Sequence, residues 1–466
     1  MDPGWTSVVP PLLAVVLAFV TGDAIISLLM ACLVGVLLLG EGPQGLPDLI
    51  TRSLGTADFI WIAAIEIFIG VLVAFLQRSG AIELFRRRVS RWVNSRRQVG
   101  LLGWSLGLFV FFSDYFSPLF VGAVMRRLTD EYRISREKLA YICDSTSASV
   151  SVLVPVSAWA VYLGGLALNT LDLDGTESAM RLFIWSLPYD FYAILTVALV
   201  GLVAAELVPD FGPMRAAERR TRETGKVLRD GANPMMGREL TDLEPASSPF
   251  ANIWLNFMAP VALVFGINVW TFMVSGSAAL LDSLMAACLF LGIVMWVQRL
   301  DTMRGLMEAA VSGIKGVMPA VLILALAYCI NTVSKDLGTA VFVVHSTQSW
   351  MSPAAVPAVA FTVSAFVSFA TGTSWGTYAI MVPVALPLAA QFTGDPFAPL
   401  VLVSFGAVAG GGVFGDHCSP LSDTTVLSSL GSASDHIDHV RTQLPYALAV
   451  GIVSVVLYLV AGRMTV

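Results

Sequence analysis

Apolar runs of about twenty residues recur along the whole chain, for example from Ile184 to Val208 and from Gln443 to Ala461. A helix needs roughly 20 such residues to cross a bilayer. Of the 466 residues, 56% are hydrophobic and 13% charged, against about 25% charged in soluble domains. Lipid is therefore the main solvent, and an all-α polytopic membrane protein is expected. The first apolar stretch, from Val8, lacks a basic leader region and runs into a second, so it reads as a mature helix rather than a cleaved signal. The net charge of −6 does not point to nucleic acid, because the basic residues sit in short loops beside apolar segments. Cys32, Cys143, Cys288, Cys329 and Cys418 lie within apolar segments without zinc-type spacing, which predicts reduced, buried thiols.

The chain resembles itself. Shifted by 258 residues, Ile69–Phe85 falls on Ala327–Val343 with Gly80 on Gly338, and Phe111–Pro118 falls on Phe369–Gly376. An offset of 272 lays Asp144-Ser-Thr-Ser147 over Asp416-His-Cys-Ser419. Apolar sequence aligns easily by chance, but matched interruptions in matched order do not. A duplication is expected.

Charge placement suggests how the halves lie. Arg86, Arg87, Arg88, Arg91, Arg96 and Arg97 precede the apolar stretch Gly100–Met125, and Arg126, Arg127, Arg133, Arg136 and Lys138 follow it. Basic flanks favour the cytoplasm, so one crossing would strand one flank outside. A re-entrant hairpin at about 100–126, with its tip at Ser113-Asp114-Tyr115, removes the conflict. Its mate, about 356–390, has a tip at Thr371–Trp375 and flanks 349–355 and 391–396 without basic residues, as an outer-side entry requires. Ten crossings follow, near 7–21, 23–40, 57–77, 139–166 and 181–208, then 251–274, 278–297, 308–333, 397–431 and 443–462. Five per half is an odd number, so the halves are inverted repeats. The first covers 1–208 and the second 250–466. A cytoplasmic linker, 209–249, partly helical or a mobile surface loop, joins them, and both termini lie outside.

Polar groups within a membrane cost about 2.5–3.5 kcal/mol for a central charge. Four clusters interrupt the apolar pattern: Ser113-Asp114, Asp144-Ser145-Thr146-Ser147, Thr371-Gly-Thr373-Ser374, and Gly415–Thr425, which holds Asp416, His417, Ser419, Asp423 and Thr424. Two are the hairpin tips. The others break the long helices 139–166 and 397–431, helped by Pro155, Gly410–Gly412 and Pro420. Broken helices free carbonyls, and carbonyls, hydroxyls and carboxylates are hard oxygen ligands suited to sodium. Asp144, Asp416 and Asp423 are the expected sodium ligands. A desolvated carboxylate can hold a proton or a cation, so competition at one site would couple the two. Taken singly, the hydroxyls could merely bond back to the preceding turn. His417 could titrate or support the break. His345, His436 and His439 read as loop or interface residues, and Glu66 stands mid-helix with no assigned partner.

Gly415-Asp-His-Cys-Ser-Pro-Leu-Ser-Asp-Thr-Thr-Val-Leu-Ser-Ser429 resembles the signature of the NhaC family of Na+/H+ antiporters. Tyr132–Thr146, Thr371–Gly376 and Ser113–Phe116 are similar to further patterns of that family, in which relatives often carry a second acidic residue at the position of Ser113. The similarity spans about Phe59 to Tyr446. It implies exchange of sodium for protons without a cofactor, in a bacterial or archaeal cytoplasmic membrane. It also implies an elevator motion of a transport domain against a homodimeric scaffold. The alternative within this resemblance is a sodium-coupled carrier or exchanger of an organic solute such as malate, lactate or an amino acid. A Ser–His–Asp hydrolase is disfavoured, because Asp416 and His417 are adjacent on a helix and point apart. A passive channel gives no reason for paired breaks.

Overall fold

The computed structural model describes residues 4–155, 157–241, 243–245, 251–275, 278–347 and 352–465. Among them the named regular elements are all helices. The first part comprises α1 (Val9–Thr21), α2 (Ala24–Leu38), α3 (Gly45–Leu54), α4 (Ala57–Arg78) and α5 (Ala81–Val89). It continues with α6 (Arg96–Phe109), α7 (Phe116–Glu131), α8 (Arg136–Ser145), α9 (Ala148–Leu153), α10 (Ala158–Leu171), α11 (Gly175–Ser186) and α12 (Phe191–Ala204). After α13 (Gly212–Thr224) and α14 (Arg238–Thr241) come α15 (Ala259–Ser275), α16 (Leu280–Val297), α17 (Met303–Asp336) and α18 (Thr339–Thr347). The last part comprises α19 (Val356–Thr371), α20 (Ser374–Thr393), α21 (Pro399–Cys418), α22 (Asp423–Ser432) and α23 (His436–Met464).

Short polar residues set the helix starts, as capping physics requires. Thr56 accepts from Phe59 N at α4, Ser95 from Gln98 N at α6, Ser135 from Lys138 N at α8, and Asp435 from Asp438 N at α23. Among the described residues, seven helices are long and apolar enough to cross a membrane, or up to nine if two bent pairs each count as one span. The expected crossings at 7–21 and 23–40 are shorter apolar helices, since Gly22 adopts φ 70° and stops α1 after 13 residues. Over the expected crossing 181–208 the structure has two helical segments, Gly175–Tyr189 and Phe191–Ala204, bent by 51°. Pro188 lies in the joint, and Asp190 Oδ1 caps α12 by accepting from Ala193 N at 3.2 Å. The short helix α3 has no counterpart among the expected crossings.

The matched interruptions coincide with matched structural events. Gly80 and Gly338 both adopt left-handed conformations, φ 76° and 70°, and join α4 to α5 and α17 to α18. The breaks between α6 and α7 and between α19 and α20 fall at 110–115 and 372–373, over the positions expected for the two tips. Those after Ser145 and after Cys418 follow the two aspartates. All five cysteines are free and buried.

On the charged side, α13 and the segment 205–211 before it are tied to α6 and α8 by ion pairs. Arg96 reaches Glu218 and also pairs with Glu206 at 3.0 Å, Lys138 meets Asp210 at 3.0 Å, and Arg220 meets Glu137 at 3.0 Å. Burial lifts the Asp210 carboxyl above its ordinary range, and Lys138 pulls it back in part. The described part of the linker then changes partner abruptly. Met235 N donates to Ser434 O at 3.0 Å, and Gly237 N donates to Gly316 O at 2.9 Å. The first anchor follows α22 and the second lies within α17.

Candidate functional site

Asp416 lies in the last turn of α21, where the helix stops at Cys418 and the chain runs extended through Ser419. Its carboxylate accepts from Ser374 Oγ at 2.8 Å, Ser422 Oγ at 2.6 Å and Thr424 Oγ1 at 3.4 Å. Its carbonyl accepts from Thr425 Oγ1 at 3.0 Å. One break thus meets the second tip across a single buried carboxylate. Three hydroxyls and a carboxylate form a hard-oxygen cluster, with no Lys or Arg bonded to it among the described residues.

Asp144 ends α8 in a different setting. Its Oδ2 faces His439 Nε2 at 3.1 Å and accepts from Gln443 Nε2 at 2.8 Å, while Oδ1 is buried without a hydrogen-bond partner. Gln443 also donates to the carbonyl of His417. The His417 ring lies between Ser145 Oγ, 3.0 Å from Nε2, and Tyr192 OH, 2.9 Å from Nδ1. Ser147 Oγ and Thr146 Oγ1 bond back to the preceding turn at Asp144 O and Ile142 O. Asp416 and His417 therefore diverge, and Ser419 Oγ donates to Phe369 O at 2.7 Å, outside any relay with the imidazole. Removing the Tyr192 hydroxyl would leave a ring nitrogen of His417 buried and unpaired, a cost of about 1–3 kcal/mol. Tyr192→Phe should lower the melting temperature in detergent.

The remaining predicted residues border a cavity of about 680 Å³ between the two tips, α4 and α17. Asp114, buried, accepts from Trp159 Nε1 at 3.1 Å, and Asp423 accepts from Tyr115 OH at 3.1 Å. Ser113 Oγ accepts from Phe116 N at 3.1 Å, and Thr371 and Thr373 face the same space. Asp144, Asp416 and Asp423 thus engage three separate donor sets rather than one shared point. Among the described residues no three carboxylate, imidazole or thiol side chains converge at metal spacing.

His439 and Gln443 were not expected at the site. The expected last crossing is 443–462, but α23 starts at His436 because Asp435 caps it. That start puts His439 and Gln443 one turn apart on a buried face. Their i, i+4 spacing was the available signal. His436 is also buried, against Ser429 Oγ and Pro420 O, rather than in a loop. Glu66 is buried in α4 with both carboxylate oxygens lacking a hydrogen-bond partner.

The Na+/H+ antiporter family model matches residues 150–463. An uncharacterised protein of Haemophilus influenzae is 30% identical across 98% of this chain and 90% of its own length. The arginine/ornithine antiporter ArcD of Halobacterium salinarum is 38% identical over 31% of this chain and 29% of its own. The malate-2H(+)/Na(+)-lactate antiporter of Bacillus subtilis is 30% identical over 38% and 36%. With its apolar spanning helices and the signature at 415–429, the chain is a multi-pass membrane protein that belongs to the Na+/H+ antiporter family, NhaC type, a family of secondary-active antiporters.

Proposed function

We propose that the protein exchanges sodium for protons by alternating access, with Asp416 as the shared ligand. The observation that carries this reading is the Asp416 cluster, in which Ser374, Ser422 and Thr424 surround one buried carboxylate. A desolvated carboxylate can be neutralised by a proton or by a cation, and both compete for the same oxygens. Hydroxyls that now donate to Asp416 can rotate and turn their lone pairs to sodium. The helix break after Cys418 adds carbonyls of the same hard character. Asp144, backed by His439 and Gln443, is a second proton-bearing carboxylate, and Asp114 and Asp423 line the approach.

Two inverted repeats, 1–208 and 250–466, would present this cluster to each side in turn, with the tips at 113–115 and 371–375 entering as re-entrant hairpins from opposite faces. The paired turns at Gly80 and Gly338 support that reading. An elevator motion on a dimeric scaffold in a bacterial or archaeal cytoplasmic membrane completes it. Purified protein in liposomes with an internal pH dye should show proton movement when sodium is added outside against a sucrose blank. A flat trace without any organic solute would reject simple sodium–proton exchange. The size of the cavity favours a second reading, in which an organic solute is exchanged as well.

A further inference from the structure

The cavity is far larger than sodium requires. A dehydrated sodium ion is held by a tight cage of oxygens, as around Asp416, whereas small-molecule sites occupy about 300–1,000 Å³. This one measures about 680 Å³ and has its own chemistry. Trp61, Tyr115, Tyr162, Tyr328 and Trp375 supply aromatic walls. Trp61 meets Tyr115 edge-on at 5.8 Å, and Tyr162 packs against Trp375 at 4.7 Å. Asp114 and Asp423 lie at the tips and break, and Asp58 borders the space near the start of α4. Among the described residues, one cation lines the cavity with these three carboxylates, the exposed Lys335 at the end of α17.

We infer that this cavity binds a small organic ammonium compound of amino-acid size, with its ammonium group at Asp114 and Asp423. Carboxylates and aromatic faces both favour a cation, and the attraction to an aromatic face grows when the ion is desolvated. A dicarboxylate meets the opposite field, with like charges at the inner end. Of the organic solutes considered above, amino acids fit the cavity and malate does not. In a zwitterion the carboxylate would face Lys335, and a diamine would leave Lys335 unused. The inference rests on the antiporter reading for its transport role, but binding at this cavity requires no gradient.

The test uses the purified full chain in detergent, with Trp61 and Trp375 as fluorescence reporters. Ornithine, putrescine and malate are titrated at constant potassium chloride. Saturable quenching by ornithine or putrescine is expected, with malate at least tenfold weaker. Asp114→Asn and, separately, Asp423→Asn should weaken the ammonium response tenfold or more while melting temperatures stay near that of the wild type. Ornithine binding weakened by Lys335→Met identifies a zwitterion site, and putrescine binding indifferent to it identifies a diamine site. Either supports the ammonium class. Equal binding of malate, no response to either ammonium compound, or a response unmoved in both folded aspartate variants overturns it. Sodium-driven proton movement in liposomes is scored separately, so failure there leaves the binding result standing.

Discussion

Asp416→Asn is expected to reduce sodium-driven proton movement in liposomes by at least about a hundredfold, with little change in melting temperature. The carboxamide keeps the size of the side chain, and Ser374, Ser422 and Thr424 can reorient because hydroxyls both donate and accept. The fold therefore keeps its hydrogen bonds. What disappears is the charge. A sodium ion left without its counter-charge in a dry site loses on the order of 3–5 kcal/mol, and the carboxamide does not bind and release a proton near neutral pH. Binding and coupling fail together. Wild-type flux in the variant would move the exchange site to Asp144, where Asp144→Asn would then be the damaging change.

The second large effect is expected from Gly415→Ala. Helices α19 and α21 approach so closely that a Cβ at Gly415 would lie 2.2 Å from Phe369 N and 2.5 Å from Ser368 Cβ. A Cβ at Gly411, one turn earlier, would lie 2.5 Å from Phe361 O. Backbone atoms cannot rotate aside, so α19 must move. It carries with it the Ser368 Oγ to Gly412 O bond at 2.7 Å and the tip that brings Ser374 to Asp416. Overpacking costs about 1–3 kcal/mol, and here it also opens the ligand cluster. Lower yield, a depressed melting temperature and lost transport are expected together. Gly266→Ala, where an added Cβ meets nothing within 4 Å, should change none of the three. Equal behaviour of the two variants would show that the interface tolerates separation.

Much of this site was legible because polar residues are rare in such a chain. Asp416, Ser374 and Thr424 interrupt apolar sequence, and each proved to share one carboxylate cluster. The shift of 258 residues pairs Gly80 with Gly338, and the left-handed turns at the two positions are seen only in the structure. Other partners were hidden by the statistics of their residue type. Tyr192 and Trp159, which hold His417 and Asp114, lie in apolar segments among 10 tyrosines and 11 tryptophans, where an aromatic ring is usually packing. His439 and Gln443 were missed through one boundary, since the cap at Asp435 starts α23 seven residues before the expected crossing. The bend at Pro188 was obscured by continuous hydrophobicity on both sides, because periodicity reports burial and not direction.

The linker has a mechanical consequence. Residues 235 and 237 are two steps apart, yet one is bonded to Ser434 beyond α22 and the other to Gly316 in α17. A chain extends at most about 3.6 Å per residue, so this stretch acts as an inextensible tether of about 7 Å. Any stroke that separates Ser434 from Gly316 by more than the tether permits must tear away one of its two anchors. Amide exchange at Met235 and Gly237 would therefore report whether either anchor opens during transport.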